Sequence, residues 1–301
     1  MVFYDSYEAY DGAECAVMLG KFDGLHLGHR SLLKKMSSTC GDLRKVILAI
    51  DTDTEDTKEI FSFDEKLSVC EALGLDSYVS LKFTDAIKTM APEAFVKDIL
   101  IEKLRTKLIC VGEGFRFGYN RCGDTELLRK TAGTYGTEVA VVPAVTVQGT
   151  HVSSTEIRKR ISEGKTEQVE ELLGQPYFIS GFTKEGRKLG RVMHFPTLNL
   201  ASGKRKLLPP FGVYRTFTEY EGKIYPSVTN VGVNPSVKED GLVSVETHLL
   251  RMPEQGIGYG DFIKVSFAER IRAERKFASI EELSEQIRMD KETVEKTIYK
   301  P

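Results

Sequence analysis

Short apolar runs alternate with helical patterns along the first half of the chain. Cys15–Leu19, Val46–Ile50, Tyr78–Leu81, Leu108–Val111 and Glu138–Val142 are brief and bounded by polar or glycine-containing stretches, so they read as strands. Helical spacing fills the intervals at Arg30–Thr39, Asp64–Leu73, Pro92–Leu104 and Asp124–Thr131. In the third of these Phe95, Ile99 and Leu100 form an apolar stripe, and Pro92 suits a first-turn position. This alternation predicts an α/β domain whose parallel sheet has helices on both faces. Its ligand crevice is expected at the carboxyl ends of the strands.

The pattern changes after about Gly174. Tyr177–Thr183, Gly212–Tyr220, Ile224–Val231, Leu242–Leu250 and Phe262–Phe267 are β-rich runs punctuated by Gly, Pro and Asn, as in a small antiparallel barrel. A last helix is expected from Ser279 to about Ile298. Ser279 stands as N-cap with Glu282 three residues on, and Leu283, Ile287 and Val294 face the barrel. The division expected is residues 1–174 and 175–301, with little linker.

Composition narrows the class. At 301 residues there is room for two cores, and 41% hydrophobic with 29% charged residues describes a globular protein. A net charge of −2 argues against a nucleic-acid binder. The one compact basic run, Lys204-Arg205-Lys206, reads as a solvated loop. Five cysteines without a close pair suggest free thiols in a reducing compartment. There is no basic start leading into an apolar stretch, and no run approaches the ~20 residues that span a bilayer. A cytoplasmic protein with no membrane partner is expected.

Chemistry concentrates in Gly20-Lys21-Phe22-Asp23-Gly24-Leu25-His26-Leu27-Gly28-His29, where the first predicted strand turns into a helix. A helix N-terminus offers unpaired N–H groups and a positive dipole end to an anion, and glycine lets the backbone approach it. Imidazoles can donate hydrogen bonds to charge developing on phosphoryl oxygens. A structural turn and half of a metal site are the other readings, although no Cys-x-x-Cys or further His pair completes a zinc site. Gly164-Lys165-Thr166 resembles the tail of a Walker A loop, but Lys159 stands where that loop needs glycine. Gly112-Glu113-Gly114-Phe115-Arg116-Phe117-Gly118 has the wrong spacing for a dinucleotide fingerprint. After the fifth strand, Ser153-Ser154-Thr155-Glu156-Ile157-Arg158 offers hydroxyls that can cap a helix and a guanidinium that can hold phosphate.

Together these segments resemble the nucleotidyltransferase superfamily and, within it, the bifunctional bacterial riboflavin kinase/FAD synthetase family. Gly20 to His29 resembles its Gly-x-Phe-Asp-Gly-x-His-x-Gly-His motif. Val111-Gly112, Phe115 to Gly118 and Gly123-Asp124 resemble its middle motif, and Ser153-Ser154-Thr155 with Ile157-Arg158 its closing one. The second half is similar to the riboflavin kinase module through Gly181, Gly186, Gly190-Arg191 and Phe195-Pro196-Thr197-Leu198-Asn199-Leu200. Pro210, Gly212-Val213-Tyr214, Asn230-Val231-Gly232, Glu246-Thr247-His248, Tyr259-Gly260, Arg272, Lys276-Phe277 and Leu283 through Asp290 follow in order.

The resemblance implies a Rossmann-like FMN adenylyltransferase domain over 1–174 and a β-barrel riboflavin kinase domain over 175–301. Riboflavin and ATP would give FMN and ADP, and FMN with a second ATP would give FAD and pyrophosphate. In the first domain Gly20, Phe22, Asp23, Gly24 and Gly28 would shape the ATP site, and His26 and His29 would stabilise the reacting triphosphate. Ser154, Thr155 and Arg158 would hold phosphates there. In the second, Gly181, Gly186, Gly190 and Arg191 would cover ATP and flavin, and Thr197 and Asn199 would hold Mg²⁺ with ATP. Glu246 would be the general base, although an outward-facing strand carboxylate is its plain alternative. The chain departs from the family at Ala49 to Thr54, where Phe-x-Pro-His-Pro is usual, and at Gly114, His194, Leu198 and Ser236. A kinase with weak or lost adenylyltransferase activity and a flavin-binding regulator are therefore the alternatives.

Overall fold

The computed structural model describes residues 1–51, 58–185, 196–201, 203–233 and 243–298. It forms two compact units, one made of Met1–Thr57 and Phe63–Ser154, the other of Lys58–Ser62 and Thr155–Pro301.

The first unit is a six-stranded parallel sheet. Its strands are β1 (Val2–Tyr4), β2 (Cys15–Gly20), β3 (Arg44–Asp51), β4 (Ser77–Lys82), β5 (Thr106–Gly112) and β6 (Glu138–Val142), in the order β1-β4-β3-β2-β5-β6. Val46, Ile47, Leu48 and Ala49 are all fully buried, as expected of a strand covered on both faces. The helices are α1 (Leu27–Thr39), α2 (Phe63–Ala72), the short α3 (Asp85–Lys88), α4 (Pro92–Ala94) and α5 (Thr125–Gly133). α4 runs into a π-helical stretch, Phe95–Lys103, that buries Phe95, Val96, Ile99 and Leu100. The predicted helix is therefore present but wider than an α-helix. A two-stranded hairpin, β7 (Thr146–Val147) and β8 (Thr150–His151), closes the unit. From β2 the order runs outward through β3 and β4 on one side and through β5 and β6 on the other. The topological switch point thus lies between β2 and β5, where ligands enter sheets of this kind.

In the second unit α6 (Ser154–Ser162) and α7 (Thr166–Leu173) precede a closed barrel. Its strands are β9 (Tyr177–Lys184), β10 (Leu198–Ala201), β11 (Gly212–Tyr220), β12 (Lys223–Val233), β13 (Val243–Leu249) and β14 (Phe262–Ala273), followed by α8 (Ile280–Ile298). Gly164-Lys165-Thr166 has a structural job: the Thr166 hydroxyl donates to the Ala268 carbonyl at 3.0 Å. Inside the barrel Thr216, Thr218, Ser227, Thr229 and Thr247 are fully buried. Thr229 bonds Thr247 at 2.8 Å and Thr216 at 2.7 Å, so these hydroxyls satisfy one another without water.

Lys206 corrects the expected solvated loop. It is 4% exposed, and its Nζ donates to the Ile60 and Phe178 carbonyls at 2.7 and 2.8 Å. The ammonium lies 4.9 Å from the Phe61 ring centroid and 4.6 Å from that of Tyr177. Charge–π attraction and two carbonyls compensate its lost hydration. The backbone of Glu59 pairs with that of Arg205 and Leu207, which draws Lys58–Ser62 into the second unit.

Ser279 accepts a bond from the Glu282 N–H at 3.2 Å, the capping contact predicted for α8. The helix is pinned by Asp290, which is buried and receives Arg272 Nε at 3.0 Å, Arg272 Nη2 at 2.7 Å and Gln286 Nε2 at 2.8 Å. Removing one partner of a buried ion pair strands the other charge. Asp290→Ala is expected to destabilise the second unit by about 3 kcal/mol and to make the α8 segment protease-sensitive. Thermal melting and limited proteolysis check this, and a parental melting temperature would contradict it.

Candidate active sites

The first site grows from the end of β2. Its turn holds three residues in the left-handed region: Phe22 (φ 49°), Gly24 (φ 89°) and Leu25 (φ 46°). For Phe22 and Leu25 this conformation is strained, and it is held because both side chains are buried. His26 then adopts extended geometry as N-cap of α1, whose first turn carries no acidic residue. The free N–H groups of that turn and the helix dipole face the crevice end of the sheet. Gly28 makes room for the His26 ring, since a Cβ there would meet its Cε1 and Nδ1 at 3.1 Å. The rings of His26 and His29 stack at 3.7 Å with a 17° angle between planes, and Phe22 packs 5.0 Å from His29.

Burial governs the charge of this pair. His26 is 6% exposed, and burial followed by the charge of His151 lowers its pKa to about 4. His29 is held well below the usual histidine value by burial and by His26. Both imidazoles are neutral near pH 7. Their Nδ1 atoms are buried and have no hydrogen-bond partner among the described residues. The contribution of His151, on β8, went unread in the sequence, where the only signal was its place among five histidines.

Ser154 donates its hydroxyl to the Asp23 carbonyl at 2.8 Å, tying the closing cluster to the turn. Thr155 is exposed and Arg158 half-buried on α6, and both belong to the second unit. The middle motif is largely structural. Asp124 caps α5 by accepting the Glu126 and Leu127 N–H groups at 3.1 and 2.9 Å, and a Cβ on Gly118 would lie 2.7 Å from Pro92. A Cβ on Gly114 would meet nothing within 4 Å, so space does not require glycine there. At the departure after β3, Asp51 receives the Ser80 hydroxyl, while Thr52, Asp53 and Thr54 lie outside the described residues.

The second site lies on the outer face of the barrel. Along β13, Val245, Thr247 and Leu249 point inward and are buried, leaving Glu246 and His248 on the other face. Register sets Glu246 opposite Asn199 on β10 and opposite Asn230 on β12. Thr197 precedes β10 and shares the face of Asn199 by alternation. His248 Nδ1 donates to the Pro196 carbonyl at 2.9 Å. Gly181 lies within β9, paired with Ile263, so it is a strand residue and not part of a covering loop. Gly186, Gly190, Arg191 and His194 lie outside the described residues. Leu198 fills the barrel interior opposite Thr247.

Comparison with known families matches residues 9–156 to FAD synthetase and residues 173–298 to riboflavin kinase. Bifunctional riboflavin kinase/FMN adenylyltransferase from Escherichia coli K12 is 33% identical over 93% of this chain and 91% of its own length. The chain belongs to the bifunctional riboflavin kinase/FMN adenylyltransferase family. Its relative of that name from Bacillus subtilis is 31% identical over 93% of this chain and 91% of its own. A crystal structure of a macrolide-efflux protein from Streptococcus pneumoniae is 25% identical with a TM-score of 0.84, each chain 98% covered. Its efflux name belongs to that protein. Among the described residues of this family member, no helix is long and apolar enough to cross a membrane.

The enclosed imidazoles of His26, which is buried, and His29, which is half-buried, make the fold acid-sensitive. Their folded-state pKa values lie below the unfolded value near 6.5, so the stability they carry is full above that pH and is lost as pH falls toward about 4. For His26 the loss approaches about 3 kcal/mol. Melting temperatures between pH 7 and 5 are expected to fall more steeply for the parent than for a His26→Gln, His29→Gln double variant. Parallel curves would contradict the assignment.

Proposed function

We propose that the chain phosphorylates riboflavin to FMN with one ATP and adenylylates FMN to FAD with another, releasing pyrophosphate. The observation that carries this reading is that each unit presents the chemical groups one of these reactions needs. The first has a neutral imidazole pair beside a helix N-terminus at the switch point, and the second has a strand carboxylate flanked by two amides. We assign adenylyl transfer to residues 1–174 and phosphoryl transfer to residues 175–301, in keeping with the two family matches. ATP is the co-substrate of both reactions, and the partners are riboflavin, FMN and FAD.

In the first site Gly20, Phe22, Asp23, Gly24 and Gly28 shape the turn, and the α1 N–H groups receive phosphate oxygens. His26 and His29 donate N–H bonds to the triphosphate while the FMN phosphate attacks the α-phosphorus. Ser154, bonded to the Asp23 carbonyl of the turn, holds phosphate and the departing pyrophosphate. Positioning and electrostatics carry the step without a covalent intermediate.

In the second site Glu246 accepts the proton of the ribityl 5′-hydroxyl as it attacks the γ-phosphorus, and Asn199 and Asn230 flank it. Gly186, Gly190 and Arg191 are assigned to the ATP- and flavin-covering segment that follows Lys184, with Gly181 in the strand before it. The Thr197 hydroxyl and the Asn199 amide oxygen are hard oxygen donors on one face, which suits Mg²⁺ carried by ATP. Bound there, the ion would neutralise charge on the transferred phosphate. We place the enzyme in the cytoplasm, a reading supported by its free thiols, of which Cys15, Cys40, Cys70 and Cys110 are buried.

Incubation with riboflavin and Mg-ATP, followed by separation of riboflavin, FMN and FAD, tests the proposal. Sequential FMN and FAD are expected. A stop at FMN would limit the function to the kinase, and no product would overturn both activities. Glu246→Gln is expected to slow FMN formation by roughly 10²–10⁴ while FAD is still made from supplied FMN. Parental kinase rates would exclude Glu246 as the base. His29→Ala is expected to reverse the pattern, lowering FMN-to-FAD conversion by about 10²–10³ with phosphorylation kept. Equal loss of both activities would contradict separate sites.

A further inference from the structure

The Thr197–Asn199 segment reaches the kinase site at the point where strand pairing runs out. Leu198 pairs with Thr247 and Asn199 with Glu246, so one step further along Thr197 falls opposite His248. The ladder cannot continue through Pro196, which has no N–H to give. Its carbonyl is instead bound by a side chain: His248 Nδ1 lies 2.9 Å from the Pro196 oxygen. A carbonyl only accepts, so Nδ1 carries the proton in this bond. Burial is the largest influence on the ring and keeps it neutral, while the bond to Pro196 works the other way.

We propose that His248 is a positioning residue for phosphoryl transfer, its Nδ1–H anchoring the Pro196 carbonyl and so setting the Thr197 hydroxyl where Mg-ATP is held. This rests on the reading that Thr197 and Asn199 hold Mg-ATP. The same β13 face therefore does two jobs. Glu246 meets the acceptor hydroxyl, and His248 two residues away fixes the end of β10 that meets the nucleotide. Without the anchor, Thr197 would hang from a strand whose last bonded partner is Leu198. A misplacement of about 1 Å at such a group costs on the order of 10²-fold in rate.

The choice of replacement separates this role from simple filling of space. An Asn amide nitrogen falls near the position of histidine Nδ1, whereas a Gln amide reaches toward Nε2. His248→Asn is expected to keep kcat/KM for Mg-ATP within about threefold of the parent, while His248→Gln and His248→Ala lose roughly 10²-fold. The loss is expected in KM for Mg-ATP and in kcat, with riboflavin binding measured by flavin fluorescence without ATP unchanged. FAD synthesis from supplied FMN is expected to continue in all three, which shows that the first unit is intact, and the unchanged riboflavin binding shows that the barrel is folded. Equal impairment of the Asn and Gln variants, or parental Mg-ATP kinetics in the Gln variant, would overturn the proposal even if His248→Ala fails to fold. Asn199→Ala, assayed in parallel, separates the two failures. If it leaves Mg-ATP kinetics unchanged, the underlying reading fails, whereas its loss of activity beside a parental Gln variant sinks only the role of His248.

Discussion

Glu246 meets Asn199 on one side and Asn230 on the other because the strand that carries it is paired along both edges. A slip of one residue would turn Glu246 and His248 into the barrel and expose Val245 and Thr247. The fully buried hydroxyls resist that slip, because Thr247 bonds Thr229, which in turn bonds Thr216. Those bonds form only in this register, and losing them would leave polar groups stranded in a dry interior. Fold stability and placement of the kinase chemistry therefore rest on the same pairing.

The first unit solves the corresponding problem at a strand end. β2 is flanked by β3 and β5, and beyond it the chain enters a strained turn held by the burial of Phe22 and Leu25. Strain of this kind persists only where the surroundings over-determine it. Here its result is a pair of stacked imidazoles at the start of α1, enclosed enough to stay neutral. Neutral donors suit the adenylyl-transfer site we propose here, since they bind a polyanion through directed hydrogen bonds.

Much of this was legible in the sequence. Glu138–Val142 and Gly212–Tyr220 form strands with the bounds their patterns predict, and the Gly20–His29 turn lies where strand and helix patterns meet. The misses have local causes. β1 is a short, partly exposed edge strand, and β10 is a four-residue strand inside a motif rich in special residues, so neither gives a periodic signal. The sequence places Lys206 in an ordinary basic run, and nothing near it foretells that Ile60 and Phe61, far away in the chain, will enclose it. Gly181 reads as the first glycine of a loop only until its pairing with Ile263 is seen. The share of His248 in the Pro196 bond depends on where a ladder stops, which spacing alone does not give.

We propose that one chain carries two chemically separate sites linked by a diffusible product. Complementation tests it most directly. Glu246→Gln and His29→Ala proteins, each deficient alone in making FAD from riboflavin and Mg-ATP, are mixed and the flavins followed over time. The mixture is expected to make FAD, because the second variant supplies FMN and the first adenylylates it. FMN accumulation without FAD, with each variant still performing its single reaction, would contradict it.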